Sequence, residues 1–170
     1  MIKLECMTLK ETNDLIRISV PAFARELEKT GEFTKEQAEE SAQRQYSELL
    51  PDGIASEGQH FFNIVNDAED RTVGNLWVAM KNENGKISAF IYDLEVNESE
   101  RGKGIASQAM RLVEAFSREK GAVEIGLHVF ASNSIAFHLY ENLGYRIRKP
   151  FYSKDEKDII SFRMAKSLAE

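Results

Sequence analysis

Apolar residues alternate with polar ones in some parts of the chain and recur every three or four positions in others. Alternation over residues 2–9 predicts a first strand, in which we expect the single cysteine, Cys6, to be buried. Helical spacing over residues 13–29, and again over residues 34–50, predicts two helices in succession. Pro21 falls inside the first of them and is expected to kink or restart it.

The rest of the chain alternates between strand-like and helix-like segments. In order, these are strands 60–65, 72–80 and 87–96, a helix 104–120, a strand 124–130, a helix 134–143 and a terminal hairpin 145–165. The segments from 87 to 130 form a strand–helix–strand unit, whose two strands should lie parallel after a right-handed crossover. The pattern therefore predicts an α/β fold with a mixed, mostly antiparallel sheet of about seven strands and about four helices.

Composition and charge exclude some classes of function but do not identify one. A chain of 170 residues fits a single domain over residues 1–170, and its net charge of −6 argues against nucleic-acid binding. One cysteine permits neither an internal disulfide nor a cysteine-based zinc site. No apolar run is long enough to span a bilayer, and the segment MIKLECMTLK lacks a secretory signal, so we expect a cytoplasmic protein without a membrane partner.

The most informative stretch is the basic turn Arg101–Gly102–Lys103–Gly104, which separates the strand 87–96 from the following helix. Free backbone N–H groups at a helix N-terminus carry partial positive charge and bind phosphate, and glycine lets the backbone approach the ligand closely. The turn therefore predicts a phosphate cradle. Taken alone, its four residues fit a basic surface turn equally well.

Two nucleotide-binding motifs compete for this turn. A Walker A loop requires Lys-Ser or Lys-Thr after its second glycine, whereas Ile105 follows Gly104 here. A dinucleotide fingerprint requires a third glycine where Ser107 stands, although Glu124 lies at the distance expected for a ribose contact. Only one strand–helix–strand unit is evident, which makes a doubly wound dinucleotide domain a weaker but open alternative.

A third motif fits the turn. Arg101–Ala106 matches the pattern Arg/Gln-x-x-Gly-x-Gly/Ala, and LHVFASNSIAFHLYENLGY at 127–145 matches a strand–Asn–helix–Tyr–Gly–aromatic block. In these two motifs the chain resembles the GCN5-related N-acetyltransferases, the GNAT superfamily, and a subgroup of small bacterial members whose substrates are often unassigned. The resemblance covers nearly the whole chain and is strongest from Phe90 to Tyr145.

The resemblance implies the acyl-CoA N-acyltransferase fold, in which the fourth and fifth strands are parallel and splay apart. It also implies acetyl-CoA as co-substrate and no metal. The pantetheine arm would pair with the backbone at Leu94 and Val96, and the Leu94 N–H would hold the acetyl carbonyl and stabilise the oxyanion. The pyrophosphate would lie on the turn and the first helical residues: Arg101, Gly102, Lys103, Gly104, Ile105, Ala106 and Ser107.

Asn133 and Tyr140 lie two helical turns apart, roughly 10 Å along one helix face. The resemblance gives Asn133 a hydrogen bond to the pantetheine arm. It gives Tyr140 the role of general acid, which protonates the departing thiolate. Each residue also has a simpler interpretation, since Asn133 suits a helix N-cap and Tyr140 suits core packing.

The group that takes a proton from the attacking amine is less well defined. Several family members carry a Glu at the position of Phe90, whose side chain accepts no proton. His128, on the strand that faces the CoA arm, is the leading candidate because it titrates near neutral pH. It fits a structural histidine equally well, and the alternatives are Tyr92, Asp93 or a relayed water.

The predicted activity is an N-acetyltransferase that moves an acetyl group from acetyl-CoA to a primary amine by direct attack in a ternary complex. The alternatives are a non-catalytic CoA-binding sensor or interaction module on the same fold, and a dinucleotide-type nucleotide-binding protein. The acceptor is a small-molecule or protein amine, and acidic residues of segment 13–50 would favour a cationic acceptor where they line the site. The hairpin 145–165 offers a free edge that favours a homodimer.

Overall fold

The computed structural model describes residues 1–169, which form one seven-stranded sheet with two helices on each face. The strands are β1 (Ile2–Cys6), β2 (Gln59–Asn66), β3 (Arg71–Glu83), β4 (Lys86–Val96), β5 (Glu124–Phe130), β6 (Arg146–Tyr152) and β7 (Ile159–Ser167). The helices are α1 (Leu9–Lys29), α2 (Lys35–Leu49), α3 (Ile105–Glu119) and α4 (Ser134–Asn142). None of these helices, within residues 1–169, is long and apolar enough to cross a membrane.

The strands lie in the order β1-β2-β3-β4-β5-β7-β6. Neighbouring strands of the described chain are antiparallel apart from β4 and β5, which are parallel and are connected by α3. The predicted mixed, mostly antiparallel sheet with seven strands and four helices is therefore confirmed. Because α3 follows β4 and precedes β5, the turn at 101–104 lies at the end of the central, parallel pair.

The two faces of the sheet have separate cores. On one face, α3 and α4 cover a large apolar core, and its most completely buried members include Ile64, Leu76, Val78, Met110, Val113, Ile125 and Leu127. On the other face, Phe61 and Trp77 pack against Tyr46 of α2 and against Leu15 and Ile16 of α1. We call these two surfaces of the sheet the α3 face and the α1/α2 face.

Helix α1 departs from its predicted form at its start and in its middle. It begins at Leu9 rather than near residue 13, because Thr8 and Glu11 form a capping box that satisfies its first N–H groups. It then continues through Pro21 to its end rather than restarting there, since one proline removes a single backbone hydrogen bond from a long, packed helix.

The single cysteine is exposed, so the expectation that Cys6 is buried was wrong. Cys6 is the last residue of β1, an edge strand that among the described residues pairs only with β2, and the chain leaves the sheet there. Its partner across the ladder is Phe62, whose own side chain is buried in the core of the α3 face. Cys6 is therefore remote from the central strands that form the candidate site.

Candidate active site

The sheet opens between its two central strands. β4 and β5 are paired only as far as Ile91 and Leu127 within the described chain. Beyond that point β4 continues beside β3 to Val96, while β5 continues beside β7 to Phe130. The resulting gap leaves one side of β4 without a neighbouring strand, which is an edge to which an extended ligand can pair.

A β-bulge in β4 lies at the start of this gap. Ile91 is opposite Val78 of β3 and Asp93 is opposite Trp77, which leaves Tyr92 as an extra residue. Side chains of a strand normally alternate between the two faces of a sheet. Here the bulge places Tyr92 and Asp93 together on the α1/α2 face, the face to which Trp77 also points.

Beyond the bulge, Leu94 and Val96 turn their side chains to the core of the α3 face. Both residues belong to the part of β4 that β5 does not cover. Their predicted contacts with the donor use only the main chain, so the core positions of the side chains are compatible with that role. The Val96 carbonyl accepts a hydrogen bond of 3.1 Å from Arg101 Nε, which ties the basic turn to the end of the strand.

The N-terminus of α3 differs from those of the other three helices. Thr8, Thr34 and Asn133 cap α1, α2 and α4 through a side-chain oxygen, whereas Gly104 caps α3 without a side-chain hydrogen bond. Gly102 and Gly104 both have a φ of +77°, which glycine adopts readily, and a Cβ added at either would meet no protein atom within 4 Å. The first N–H groups of α3 therefore lie in an open, glycine-lined turn that suits an anion.

Glu100 is a buried carboxylate beneath this turn, and the sequence reading missed it. Its side chain accepts hydrogen bonds from Arg71 Nη2 at 2.7 Å and from Lys103 Nζ at 3.0 Å. These two cations, Arg71 foremost, hold the pKa of Glu100 below its usual range. Lys103 therefore fixes the turn as well as lending it charge. The signal for Glu100 is a single acid placed directly before the basic motif.

Helix α4 carries Asn133 and Tyr140. Asn133 Oδ1 accepts a hydrogen bond of 3.2 Å from the Ala136 N–H, so Asn133 caps the helix and keeps its amide nitrogen as a donor. Tyr140 is half-buried, and burial raises its pKa to about 12 with a further contribution from the charge of Asp93. The Tyr140 hydroxyl is therefore protonated at neutral pH, as a general acid requires.

A buried polar network supports the position of Tyr140. Its ring centroid lies 6.0 Å from that of Tyr145, whose hydroxyl donates to Glu114 Oε1 at 3.1 Å. Lys166 Nζ donates to the other oxygen of Glu114 at 2.9 Å. The network joins α3, β7 and Tyr145 in the turn that follows α4, and the contact with Tyr145 holds Tyr140 in place relative to the gap. Its members are far apart in the chain, and no local sequence pattern predicts it.

His128 lies on β5, one residue beyond the last position paired with β4. Its ring centroid is 5.3 Å from that of Phe130 and 5.6 Å from that of Phe151. His128 Nε2 is 2.7 Å from Ser161 Oγ, and burial lowers the pKa of the ring, so His128 is neutral at pH 7. In the tautomer whose Nε2 donates to Ser161, Nδ1 is free to accept a proton.

Asp93 lies where the gap meets the α1/α2 face. Burial raises its pKa to about 6, the charge of Glu95 adds to the rise, and the backbone N–H of Leu94 opposes it. The charge of Asp93 in turn contributes to the raised pKa of Tyr46 on α2 and of Tyr140 on α4. Asp93 is therefore close to side chains from both sides of the sheet, as a group beside the gap should be.

Four aromatic side chains pack in a row on the α1/α2 face next to Asp93, and we call them the aromatic wall: Tyr46, Trp77, Phe90 and Tyr92. Ring centroids are 5.6 Å apart for Tyr46 and Trp77, 5.0 Å for Trp77 and Tyr92, and 4.8 Å for Phe90 and Tyr92. The sequence reading missed the wall because its members come from α2, β3 and β4. The available signal is the presence of aromatic residues at same-face positions of neighbouring strands.

Comparison of the sequence with known proteins relates the chain to one family. The model of the acetyltransferase (GNAT) family matches residues 21–145, which include β4, the basic turn and Tyr140. The N-acetyltransferase YdgE of Bacillus subtilis is 37% identical over 142 residues, which cover 84% of this chain and 90% of YdgE. The N-acetyltransferase YycN of the same organism is 32% identical over 145 residues, covering 85% of this chain and 92% of YycN.

Solved structures extend the comparison to three dimensions. The crystal structure of YycN from Bacillus subtilis superimposes with a TM-score of 0.83 at 32% identity, over 91% of this chain and 98% of YycN. The PaiA N-acetyltransferase of Thermoplasma acidophilum, solved in complex with coenzyme A, gives a TM-score of 0.64 at 20% identity, over 98% and 99% of the two chains. The likeness to PaiA is one of fold.

Proposed function

Because the chain belongs to the GNAT family and is an acetyl-CoA-dependent acyltransferase, we propose that it transfers an acetyl group to a primary amine by direct attack in a ternary complex. The observation that carries the proposal is the pairing of an open β4 edge with an uncapped helix N-terminus at the end of the same strand. The edge suits the pantetheine arm, and the positive helix end suits the pyrophosphate.

Acetyl-CoA fits this site as the donor. In the proposed complex the pyrophosphate lies on the N–H groups of residues 102–107 with Arg101 beside it, and the pantetheine arm lies along Leu94 and Val96. Asn133 donates a hydrogen bond to the arm from the opposite side of the gap. The complex of PaiA with coenzyme A supports the proposal that this fold accommodates the donor.

Leu94, Tyr140 and His128 divide the chemistry in this proposal. The neutral amine attacks the thioester carbonyl, and the Leu94 N–H stabilises the oxyanion that forms. The tetrahedral intermediate then expels the CoA thiolate, which takes a proton from the Tyr140 hydroxyl. Before the attack, the acceptor ammonium loses one proton and becomes the neutral amine. After the attack the same nitrogen loses a second proton, and His128 takes one of these two protons through Nδ1.

The acceptor is a primary amine on a small molecule or on a protein. Acidic side chains of segment 13–50 form ion pairs at the protein surface. In α1, Glu26 pairs with Lys29. Glu32, just after α1, accepts hydrogen bonds from Lys154. Negative charge beside the gap comes instead from Asp93 and Glu95 of β4. A homodimer is also proposed, because β6 is a free edge of the sheet.

A screen of primary amines with acetyl-CoA, followed by release of free thiol, tests the proposed activity. We expect thiol release to require the amine and to yield one acetylated amine for each thiol. Tight 1:1 binding of coenzyme A without transfer to any amine would instead identify a non-catalytic sensor. A melting temperature raised by NAD but not by coenzyme A would favour the dinucleotide alternative.

A further inference from the structure

We propose that Asp93 binds the ammonium group of the acceptor and takes the first of the two protons that its nitrogen loses. The inference rests on the proposed function and adds to it the group that recognises the acceptor. Three features carry it: the bulge in β4, the lack of a cation paired with Asp93 in the described chain, and the aromatic wall.

The bulge decides which way Asp93 faces. Regular alternation from Ile91, whose side chain lies in the core of the α3 face, would send Asp93 into that core. An ionised carboxylate buried there without a partner would be strongly unfavourable because it would lose its hydration. The extra residue, Tyr92, turns Asp93 to the α1/α2 face at the start of the gap, opposite Trp77. Bulges that re-aim one side chain are common next to active sites.

The surroundings of Asp93 contain acids and phenols rather than cations. Its titratable neighbours come from each element packed around it: Tyr46 of α2, Tyr92 and Glu95 of β4, and Tyr140 of α4. Lys81 and Arg163 lower the pKa of Tyr92, and no ion pair between residues 1 and 169 includes Asp93. A largely buried carboxylate without a cation is a site for one, and the acceptor ammonium supplies it.

The aromatic wall suits the same ligand. The face of an aromatic ring attracts an ammonium group, and the attraction strengthens as water is excluded. Trp77 is opposite Asp93, and Tyr92 precedes it. Tyr92 is 37% exposed whereas Trp77 is 1% exposed, so a ligand reaches the wall from solvent across Tyr92. Tyr92 is therefore the member of the wall that can present its ring to an ammonium bound at Asp93, with Trp77 packed behind it.

Besides the carboxylate of Asp93, a side-chain amide oxygen on the α1/α2 face lacks a hydrogen-bond donor. Asn75 Oδ1 is enclosed by protein and has no hydrogen-bond partner in the part of the chain that the structure describes. Asn75 is opposite Glu95 in the ladder, which makes it a diagonal neighbour of Asp93 across β3 and β4. Because this oxygen is enclosed by protein, it adds to the negative potential around Asp93 without contacting the ligand itself.

The two protons that leave the nitrogen follow different routes. The ammonium transfers the first proton to Asp93, which frees the lone pair that forms the N–C bond. The second proton goes to His128 after attack, while the C–S bonding electrons leave with sulfur and Tyr140 protonates the thiolate. Asp93 then releases its proton to solvent and His128 restores that of Tyr140, so one proton is released for each acetyl group transferred.

Trp77 provides a direct readout of acceptor binding, because it is the only tryptophan in the chain and packs against Tyr92 opposite Asp93. Protein loaded with coenzyme A is titrated with 2-phenylethylamine, hexylamine and spermidine, and the change in tryptophan emission gives each Kd. We expect Asp93→Asn to weaken amine binding about tenfold or more and to leave the Kd of coenzyme A unchanged. The matched control Glu119→Gln removes the same charge from an exposed residue at the end of α3, on the other face of the sheet, and should change amine binding less than about threefold.

Acetyl transfer gives a second readout. The wild-type rate should rise with pH through about 6, as Asp93 becomes ionised, and Asp93→Asn should lose most of the rate together with this rise. Burial lowers the pKa of His128 from its usual value, which can add to this rise, so His128→Asn is measured in parallel and should retain the Asp93 part of it.

Two results would overturn the inference while the proposed function stands. One is equal amine affinity and an equal pH profile in Asp93→Asn and in the wild type. The other is a wild-type protein that binds coenzyme A but shows no change in Trp77 emission with any of the three amines. Failure of the wild type to bind coenzyme A would overturn the proposed function, and this inference with it.

Discussion

The donor side and the acceptor side that we propose for the gap are built in different ways. The donor side uses the contiguous segment 94–107, mainly through backbone groups of β4 and the N-terminus of α3. The acceptor side gathers side chains from several elements: Tyr46, Trp77, Asp93, His128 and Tyr140. Backbone recognition suits a donor common to the family, whereas an assembly of side chains lets the acceptor vary without disturbing the donor.

Gly104→Glu should cause the largest effect, and it should affect only the donor side. The substitution puts a side chain at a φ of +77° and a negative charge where the pyrophosphate is proposed to lie. We expect the Kd of coenzyme A, measured by calorimetry, to weaken about 100-fold or more, which is roughly 2.7 kcal/mol.

Gly85→Glu is the matched control for this change. Gly85 has a φ of +81°, and a Cβ added there also meets no protein atom within 4 Å, but it lies in the β3–β4 hairpin turn. This variant should keep the wild-type Kd. Equal weakening in both variants would attribute the loss to backbone strain rather than to repulsion of the pyrophosphate.

Tyr140→Phe should separate binding from chemistry. The phenyl ring keeps the packing of α4 but has no proton for the thiolate, so kcat should fall about 100-fold while the Kd of coenzyme A stays within about twofold. Thiol release and calorimetry measure the two quantities. Tyr152→Phe, at a side chain that is 54% exposed on the edge strand β6, should leave both unchanged. An unaltered kcat in Tyr140→Phe would remove this residue from the mechanism.

Asp93→Asn should stabilise the fold at the expense of the acceptor side. The folded-state pKa of about 6 exceeds the unfolded value of about 3.9, so the folded protein binds more protons between these values and loses stability as pH rises through them. At pH 7.5 the variant should have a free energy of unfolding roughly 2 kcal/mol higher, and this advantage should disappear at about pH 4. Urea unfolding at both pH values measures the difference, and the exposed control Glu119→Gln should show little gain.

Glu100→Gln should give the smallest effect, on the rigidity of the donor turn. It weakens the contacts with Arg71 and Lys103, so we expect the Tm to fall by about 2 °C. Because the pKa of Glu100 is lowered in the folded state, the difference from the wild type should shrink as pH falls through that lowered value. Glu69→Gln removes the other, more exposed acid paired with Arg71 and should change the Tm less. An equal fall in Tm in both variants would mean that Glu100 stabilises the turn no more than the exposed acid Glu69 does.

The structural features proposed to bind the donor were predictable from the sequence because they are local. Gly102 and Gly104 stand between a strand and an amphipathic helix, and this order alone indicates an uncapped helix end. The strand and helix order was also predictable from local patterns, because alternating and helically spaced apolar residues mark each element. A single helix between two strands then implies that these strands are parallel, as β4 and β5 are. The start of α1 was missed because its first turn is polar and is set by the capping box at Thr8.

The acceptor side was less predictable because it depends on the bulge and on distant contacts. No glycine or proline marks the bulge within IYDLEV, so simple alternation puts Asp93 on the wrong face. Tyr46 reaches Trp77 only through the packing of α2 on the sheet. His128 was singled out for its titration range, but its hydrogen bond to Ser161 comes from the pairing of β5 with β7 and has no local signal.

Backbone amide NMR, recorded with and without coenzyme A, tests most directly whether the gap binds the donor through the main chain. We predict the largest shift changes at Leu94, at Val96 and in the first turn of α3, with the capped first turns of α1 and α2 unchanged. Large changes confined to α1, α2 or the β6–β7 hairpin, with Leu94, Val96 and α3 unaffected, would contradict the proposed binding of the donor in the gap.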